Sequence, residues 1–391
     1  MIGPSAAADR PQQPCPCGSG RLFKDCHEKV RSTSPNPIPE GLSWAVATMI
    51  GKERARQEWR QIHGPMLPSA TTTHPSGDLL VMAGSTIYRM PSGETWYGFI
   101  YDLLAKKIGV QWVHDDWRKP DSERSLITKW FSLVQRNELD SKGQFTRWKP
   151  SKDIGATLAF RSLAYDIFCM EQGGGAPDEL LTRLRKPDQF EGARYEAWAA
   201  ASLIRAGWKI EFEDEKDRRT SHCEFTATEP KSGRKFSIEC KRRHRPSIDH
   251  HEVHLKGQRP KLDVSSLIAA ALRKKADHPR IIFLDVNMPP QSGNILSAGW
   301  IAEFKASKER LEQQLAYRAD NAPNAILFAT NHPYHYVAKT RPDPKVHFIT
   351  TSFNRPDLYS GDPMLPTREP EVFSLMASIG AHFLIPENFM P

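Results

Sequence analysis

From about residue 186 the hydrophobic pattern switches repeatedly between the 3.6-residue period of a helix and the two-residue alternation of a strand. Residues 193–206 read as a helix that Gly207 stops, and 208–212 as a strand. Residues 222–228 and 235–241 read as two more strands, joined by the turn-forming stretch 229–234. A helix at 265–276, an apolar strand at 281–286, a helix at 301–317 and a buried strand at 325–330 complete the series. The order αβββαβαβ predicts an α/β domain with a mixed sheet over residues 186–350.

The rest of the chain is organised differently. Residues 1–14 are small, polar and Pro-containing, and are expected to be disordered; 28–42 have the composition of a linker. Residues 43–185 are expected to form an α-rich unit of unknown role. It has short strands at 79–82 and 86–90 and helices at 94–107, 125–135 and 155–169. Residues 351–391 are Pro-rich, with a helix expected at 371–379. With 391 residues, 39% of them hydrophobic, and 18 Phe and 10 Trp, the chain holds enough apolar material for two or three folded units. No apolar run approaches the roughly 18–20 residues that span a bilayer, so no membrane insertion is expected. The first residues lack the apolar core of a secretory signal, and six cysteines do not make a disulfide scaffold. The expected location is therefore a reducing cytoplasm.

Almost all of the net charge of +8 lies in one window. Residues 241–280 carry 11 Lys and Arg against four acids, while the other residues are nearly neutral. Such a stretch suits a polyanionic partner, and Arg242, Arg243, Arg245, Lys256, Arg273, Lys274 and Lys275 are its candidate nucleic-acid contacts. A solvated basic loop and helix is the competing reading.

Near the start, CPCGSGRLFKDCH places Cys15, Cys17, Cys26 and His27 around a Gly-Ser-Gly turn. Three thiolates and an imidazole suit tetrahedral zinc and leave no open position, so the metal is expected to be structural. The spacing resembles the SEC-C motif over residues 15–27, and that resemblance implies zinc and admits a protein partner.

A second set of residues points to hydrolytic chemistry. In 235–241, Phe236, Ile238 and Cys240 alternate with Ser237, Glu239 and Lys241. If the loop pairs Thr228 with Lys235, Glu224 falls opposite Glu239. Directly opposed carboxylates repel unless a divalent cation lies between them. Lys241 shares that face. Glu196 is a lone charged residue in the apolar stretch 195–204, where burial demands a partner or a metal.

Together these features resemble the PD-(D/E)XK, or restriction-endonuclease-like, superfamily. Its core is αβββαβ, with an acid on the second strand, E-x-K on the third and in many members an acid on the first helix. The resemblance implies Mg²⁺- or Mn²⁺-dependent hydrolysis of phosphodiester bonds in DNA or RNA, in a setting such as defence or repair. Glu196, Glu224, Glu239 and Lys241 would be catalytic, and Glu224 and Glu239 would hold the metal. The sequence departs from the pattern where Glu224 replaces the usual Asp, and Asp217 competes for that role. Structural alternatives stand beside this reading. Glu196 would pair with Arg194 or Arg205, and Glu224 and Glu239 would pair with Arg242 or Lys235. The superfamily also has members that bind without cutting, so the alternative function is a nucleic-acid-binding adaptor recruited through the zinc knuckle. His250, His251 and His254 are expected to be solvated or to touch phosphate rather than to bind metal. Cys223 and Cys240 are expected to be reduced. Asp285 is left open as a turn acceptor or a distal substrate contact.

Overall fold

Helix α1 (Trp44–His63) precedes a three-stranded antiparallel sheet of β1 (Thr71–Thr73), β2 (Leu79–Ala83) and β3 (Thr86–Met90). The computed structural model describes residues 44–66, 69–138, 155–213, 222–244, 262–288, 299–316, 323–332, 345–355 and 363–390. Residues 1–57 and 58–391 are separate compact units, and of the first the described part is 44–57. The β2–β3 turn needs Gly84, whose φ is +58° and where a Cβ would meet the Glu171 carbonyl at 2.2 Å.

Helices α2 (Trp96–Ile108), α3 (Val110–Trp117), α4 (Leu126–Glu138), α5 (Gly155–Gln172) and α6 (Asp178–Leu184) follow; α2, α4 and α5 correspond to the three helices expected in this region, and α3 and α6 are additional to them. Thr95 caps α2 by accepting from the Gly98 amide. Helix α5 is buried along nearly its whole length, as befits a helix that is apolar all round.

Then come α7 (Phe190–Arg205), β4 (Lys209–Phe212), β5 (Phe225–Thr228), β6 (Lys235–Arg242), α8 (Ser265–Arg273) and β7 (Arg280–Asp285). After them lie α9 (Gly299–Ala316), β8 (Ala325–Asn331), β9 (His347–Phe353), α10 (Leu365–Arg368) and α11 (Pro370–Ala381). Strands β4 to β9 form one sheet in sequence order. The β6–β7 and β7–β8 pairs are parallel, and the other three are antiparallel. The mixed sheet and the αβββαβ order are thus as the sequence pattern indicates, and the described residues contain eleven helices.

Both faces of the sheet are covered, which explains the unbroken apolar runs of β7 and β8. On one face Phe225, Ala227, Phe236, Ile238, Phe283 and Phe328 join a core with α5 and α7. On the other Ile282, Leu284, Leu327 and Phe353 pack under α8 and α9. The first core also includes Trp96, Phe99 and Trp130, so helices of the region 43–185 and the sheet share one apolar interior and no boundary falls near 185. The edge expected at 350/351 lies inside β9, which pairs along its whole length with β8. The C-terminal segment thus contributes a sheet strand, and α11 adds Val372, Leu375 and Ile379 to the first core.

Candidate active site

The hairpin has the register expected from its loop, with Thr228 opposite Lys235. The ladder ends at Phe225 opposite Ile238. The expected strand 222–228 is shorter because its first residues take another partner. The Cys223 amide donates to the Lys275 carbonyl at 3.2 Å, and His222 bridges to Lys275. Glu224 therefore leaves the ladder, and its amide donates to the Ile238 carbonyl at 2.9 Å. The direct Glu224–Glu239 pairing is replaced by this offset, yet the two carboxylates still interact electrostatically.

Glu239 points to the α8 face, since its partner on β7 is Ile282 of that core. It is fully buried. Its Oε1 accepts from the Lys241 ammonium, and its Oε2 has no hydrogen-bond partner. Burial, followed by the charge of Glu224, pushes the Glu239 carboxyl up to about 7, against the pull of Lys241 and Lys274. Burial works against the Lys241 ammonium, but Glu239 and Glu224 outweigh it and hold the lysine above its ordinary value. Lys241 Nζ also lies 3.4 Å from the Cys240 carbonyl. Lys274 Nζ sits 4.0 Å from Glu224. The acid pair thus carries two ammonium groups, one expected from the sequence and one that the sequence placed in a surface patch.

Glu196 is buried on α7, the helix that covers the opposite face. Arg183 donates to its Oε2 at 2.7 Å, so the ion pair comes from the preceding helix rather than from within α7. Glu196 lies near Cys240, whose thiol is pushed far up by burial first and then by Glu196, Glu224 and Glu239. By alternation along β6, Cys240 and Glu239 point to opposite faces. Glu196 thus rises from the helix on the Cys240 face, while Glu239 turns to the α8 face. Cys223 is likewise raised, to about 11 by burial and then by Glu239, and Cys169, Cys223 and Cys240 are free thiols.

The basic residues divide sharply. The Arg242 side chain is 4% exposed, with Nε 3.2 Å from Asp285 Oδ2 and Nη1 3.3 Å from the Glu191 carbonyl. This placement corrects its expected role as a phosphate contact, because strand alternation turns it into the protein. Asp285 also meets His332 at 3.5 Å and Arg194 at 3.9 Å. Burial would lift the Asp285 carboxyl, but His332, Arg242 and Arg194 outweigh it and hold it below its ordinary range. Burial first, then the nearby guanidiniums, lower His332 to about 4, so it is neutral at pH 7. This cluster at the carboxyl ends of β6, β7 and β8 was not legible as a unit, because its members come from four separate segments.

Arg243 is half-buried, with its amide on the Asp285 carbonyl and Nη1 3.4 Å from Met288 Sδ. Arg273 and Lys275 are exposed, and Lys275 pairs with Asp277 at 3.2 Å. Lys235 lies 3.9 Å from Glu211 rather than on either site carboxylate. Arg245, Lys256, Asp217, His250, His251, His254 and the four expected zinc ligands Cys15, Cys17, Cys26 and His27 lie outside the described residues. Among the described residues, no group of three or more His, Cys, Asp or Glu side chains is close enough to hold a metal. No described helix is long and apolar enough to cross a membrane.

The chain is thus a mixed α/β protein with a buried acid and two lysines at one sheet face. Residues 13–29 match the SEC-C motif family, and that span contains Cys15, Cys17, Cys26 and His27. No curated protein and no solved structure matches the chain.

Proposed function

We propose that the chain is a metal-dependent nuclease of the PD-(D/E)XK kind that hydrolyses phosphodiester bonds in DNA or RNA. The observation that carries this reading is Glu239. A fully buried carboxylate with one oxygen unpartnered, beside a second carboxylate and a lysine, is an expensive arrangement for a fold to keep. Carboxylate oxygens from Glu224 and Glu239, with the Cys240 carbonyl, are the hard donors that Mg²⁺ or Mn²⁺ prefers. Such an ion supplies charge stabilisation and a water of lowered pKa. Lys241 keeps its proton, and its ammonium faces charge developing on phosphate oxygens. Glu196, paired with Arg183, has no part in this scheme.

The second reading is a nucleic-acid-binding adaptor without catalysis. It is favoured by the ion pair that Glu196 makes with Arg183, and by the finding that, among the described residues, no three His, Cys, Asp or Glu side chains are grouped closely enough to hold a metal. In both readings Cys15, Cys17, Cys26 and His27 hold a structural zinc, whose knuckle is free to recruit a protein.

Incubating the full chain with DNA and RNA panels in Mg²⁺, Mn²⁺ or EDTA separates the two. Cleavage that needs the metal and disappears in Glu239→Ala supports the nuclease. Retained binding without cleavage in either metal supports the adaptor.

A further inference from the structure

Lys274 is held at the acid pair by main-chain contacts. It caps the C-terminus of α8, its carbonyl accepts from Arg280 Nη2 at 2.6 Å, and the next carbonyl, of Lys275, accepts from the Cys223 amide. Residues 274 and 275 are thereby fastened alongside 222–223, immediately before Glu224. The Lys274 ammonium comes to 4.0 Å from Glu224, and it also stabilises the charged form of Glu239. Its neighbour Lys275 points elsewhere, to Asp277. The side chains of Lys274 and Glu224 remain partly exposed, at 27% and 20%, so an incoming polyanion can reach them.

We propose that Lys274 is a positioning residue that couples metal loading to nucleic-acid binding, an inference that rests on the nuclease reading of this site. Without substrate, Lys274 serves as the counter-ion of Glu224 and competes with a divalent cation for it. A backbone phosphate of DNA or RNA offers the ammonium a better-placed anion. Glu224 then loses its counter-ion and becomes available to the metal. Because coupling between two ligands is reciprocal, metal must also tighten nucleic-acid binding by the same factor.

The test is calorimetric titration of Mn²⁺ into the full chain, with and without a saturating phosphorothioate DNA duplex or its RNA counterpart. The site's heat is defined as the part lost in Glu239→Gln. In wild type the duplex should tighten Mn²⁺ binding by about 10-fold, within the usual range of such couplings. Lys274→Met should bind Mn²⁺ several-fold more tightly than wild type without nucleic acid, and should lose most of the enhancement. Lys274→Arg, which keeps the charge, should restore it, and Lys106→Met, which breaks an exposed ion pair with Asp102 on α2, should behave as wild type. A melting curve for each variant checks that it is folded. If Lys274→Met is folded and keeps the full enhancement, the inference is overturned while the nuclease reading stands. If no protein shows a Glu239-dependent Mn²⁺ heat under either condition, both fall.

Discussion

The Glu224 amide donates to the Ile238 carbonyl at 2.9 Å, one residue out of step with the ladder in which Ile238 opposes Phe225. Glu224 therefore approaches Glu239 at the end of a strand instead of through a paired register position. The two charges still interact, and Glu239 bears the consequence because it is the buried one.

That asymmetry predicts a pH dependence. The folded-state pKa of Glu239, about 7, lies above its ordinary value of 4.5. Folding thus favours the protonated acid. The resulting stabilisation is complete below about pH 4.5 and is lost as pH rises through about 7. In EDTA, the wild-type melting temperature measured against Glu239→Gln should fall across that interval, by a stability difference on the order of 1–3 kcal/mol. Saturating Mg²⁺ at pH 7 to 8 should recover much of it, since an ion that binds only the folded state stabilises that state. A pH-independent difference in EDTA would show that Glu239 is charged at no cost.

Arg242 and Arg243 are adjacent in sequence but should fail differently. Arg242→Ala leaves Asp285 with one guanidinium fewer in a buried cluster, a loss of about 3–5 kcal/mol in denaturant unfolding. Its removal should not change the salt dependence of nucleic-acid binding in protein that remains folded. Arg243→Ala should reduce the slope of log K against log salt by about 0.9 if Arg243 contacts one duplex phosphate. Equal slopes for wild type and Arg243→Ala would move the binding surface away from the end of β6.

The sequence carried the sheet well, because alternation in 235–241 and the short loop 229–234 fix the register locally. It carried Glu239 and Lys241 for the same reason. It did not carry Lys274. A lysine in a run of cations looks like its neighbours, and only the bridge between residues 222 and 275 singles it out. The apolar stretch 195–204 marks Glu196 as an acid that needs a partner or a metal, and the residue is buried against Arg183. Arg183 was missed because that residue belongs to the preceding helix α6, so the pair depends on how α6 and α7 pack. The strand β9, HFITTSF, alternates too weakly to stand out, and its pairing with β8 depends on a contact across the sheet.

The SEC-C match predicts about one equivalent of zinc per chain by elemental analysis. Cys15→Ser/Cys17→Ser should lose it. Four protein ligands leave no position for substrate, so this metal should be dispensable for hydrolysis. Removing residues 1–40 should leave cleavage and the unfolding of the larger unit unchanged. Loss of cleavage in a truncation with a wild-type melting curve would tie the knuckle to the reaction.

Lys241 divides the nuclease from the adaptor most cleanly. It shares a face with Glu239 and donates to that carboxylate, yet an ammonium has no lone pair with which to ligate a metal. In the nuclease its contribution falls on charge that develops during attack on phosphorus. Lys241→Ala should then slow cleavage by roughly 100-fold or more, the effect typical of losing one preorganised electrostatic donor. Substrate affinity should change by only about one phosphate contact, because the loss is confined to the transition state. The Mg²⁺-dependent rise in melting temperature should persist or increase, since Glu239 loses a competing cation. In the adaptor, Lys241 is one cation among the 11 Lys and Arg of residues 241–280, and its removal weakens binding slightly with no hydrolysis to lose. Single-turnover cleavage, binding and melting curves on the same preparations read all three quantities. Cleavage at the wild-type rate in Lys241→Ala, with trace nuclease excluded by the inactivity of Glu239→Ala, would remove Lys241 from the mechanism.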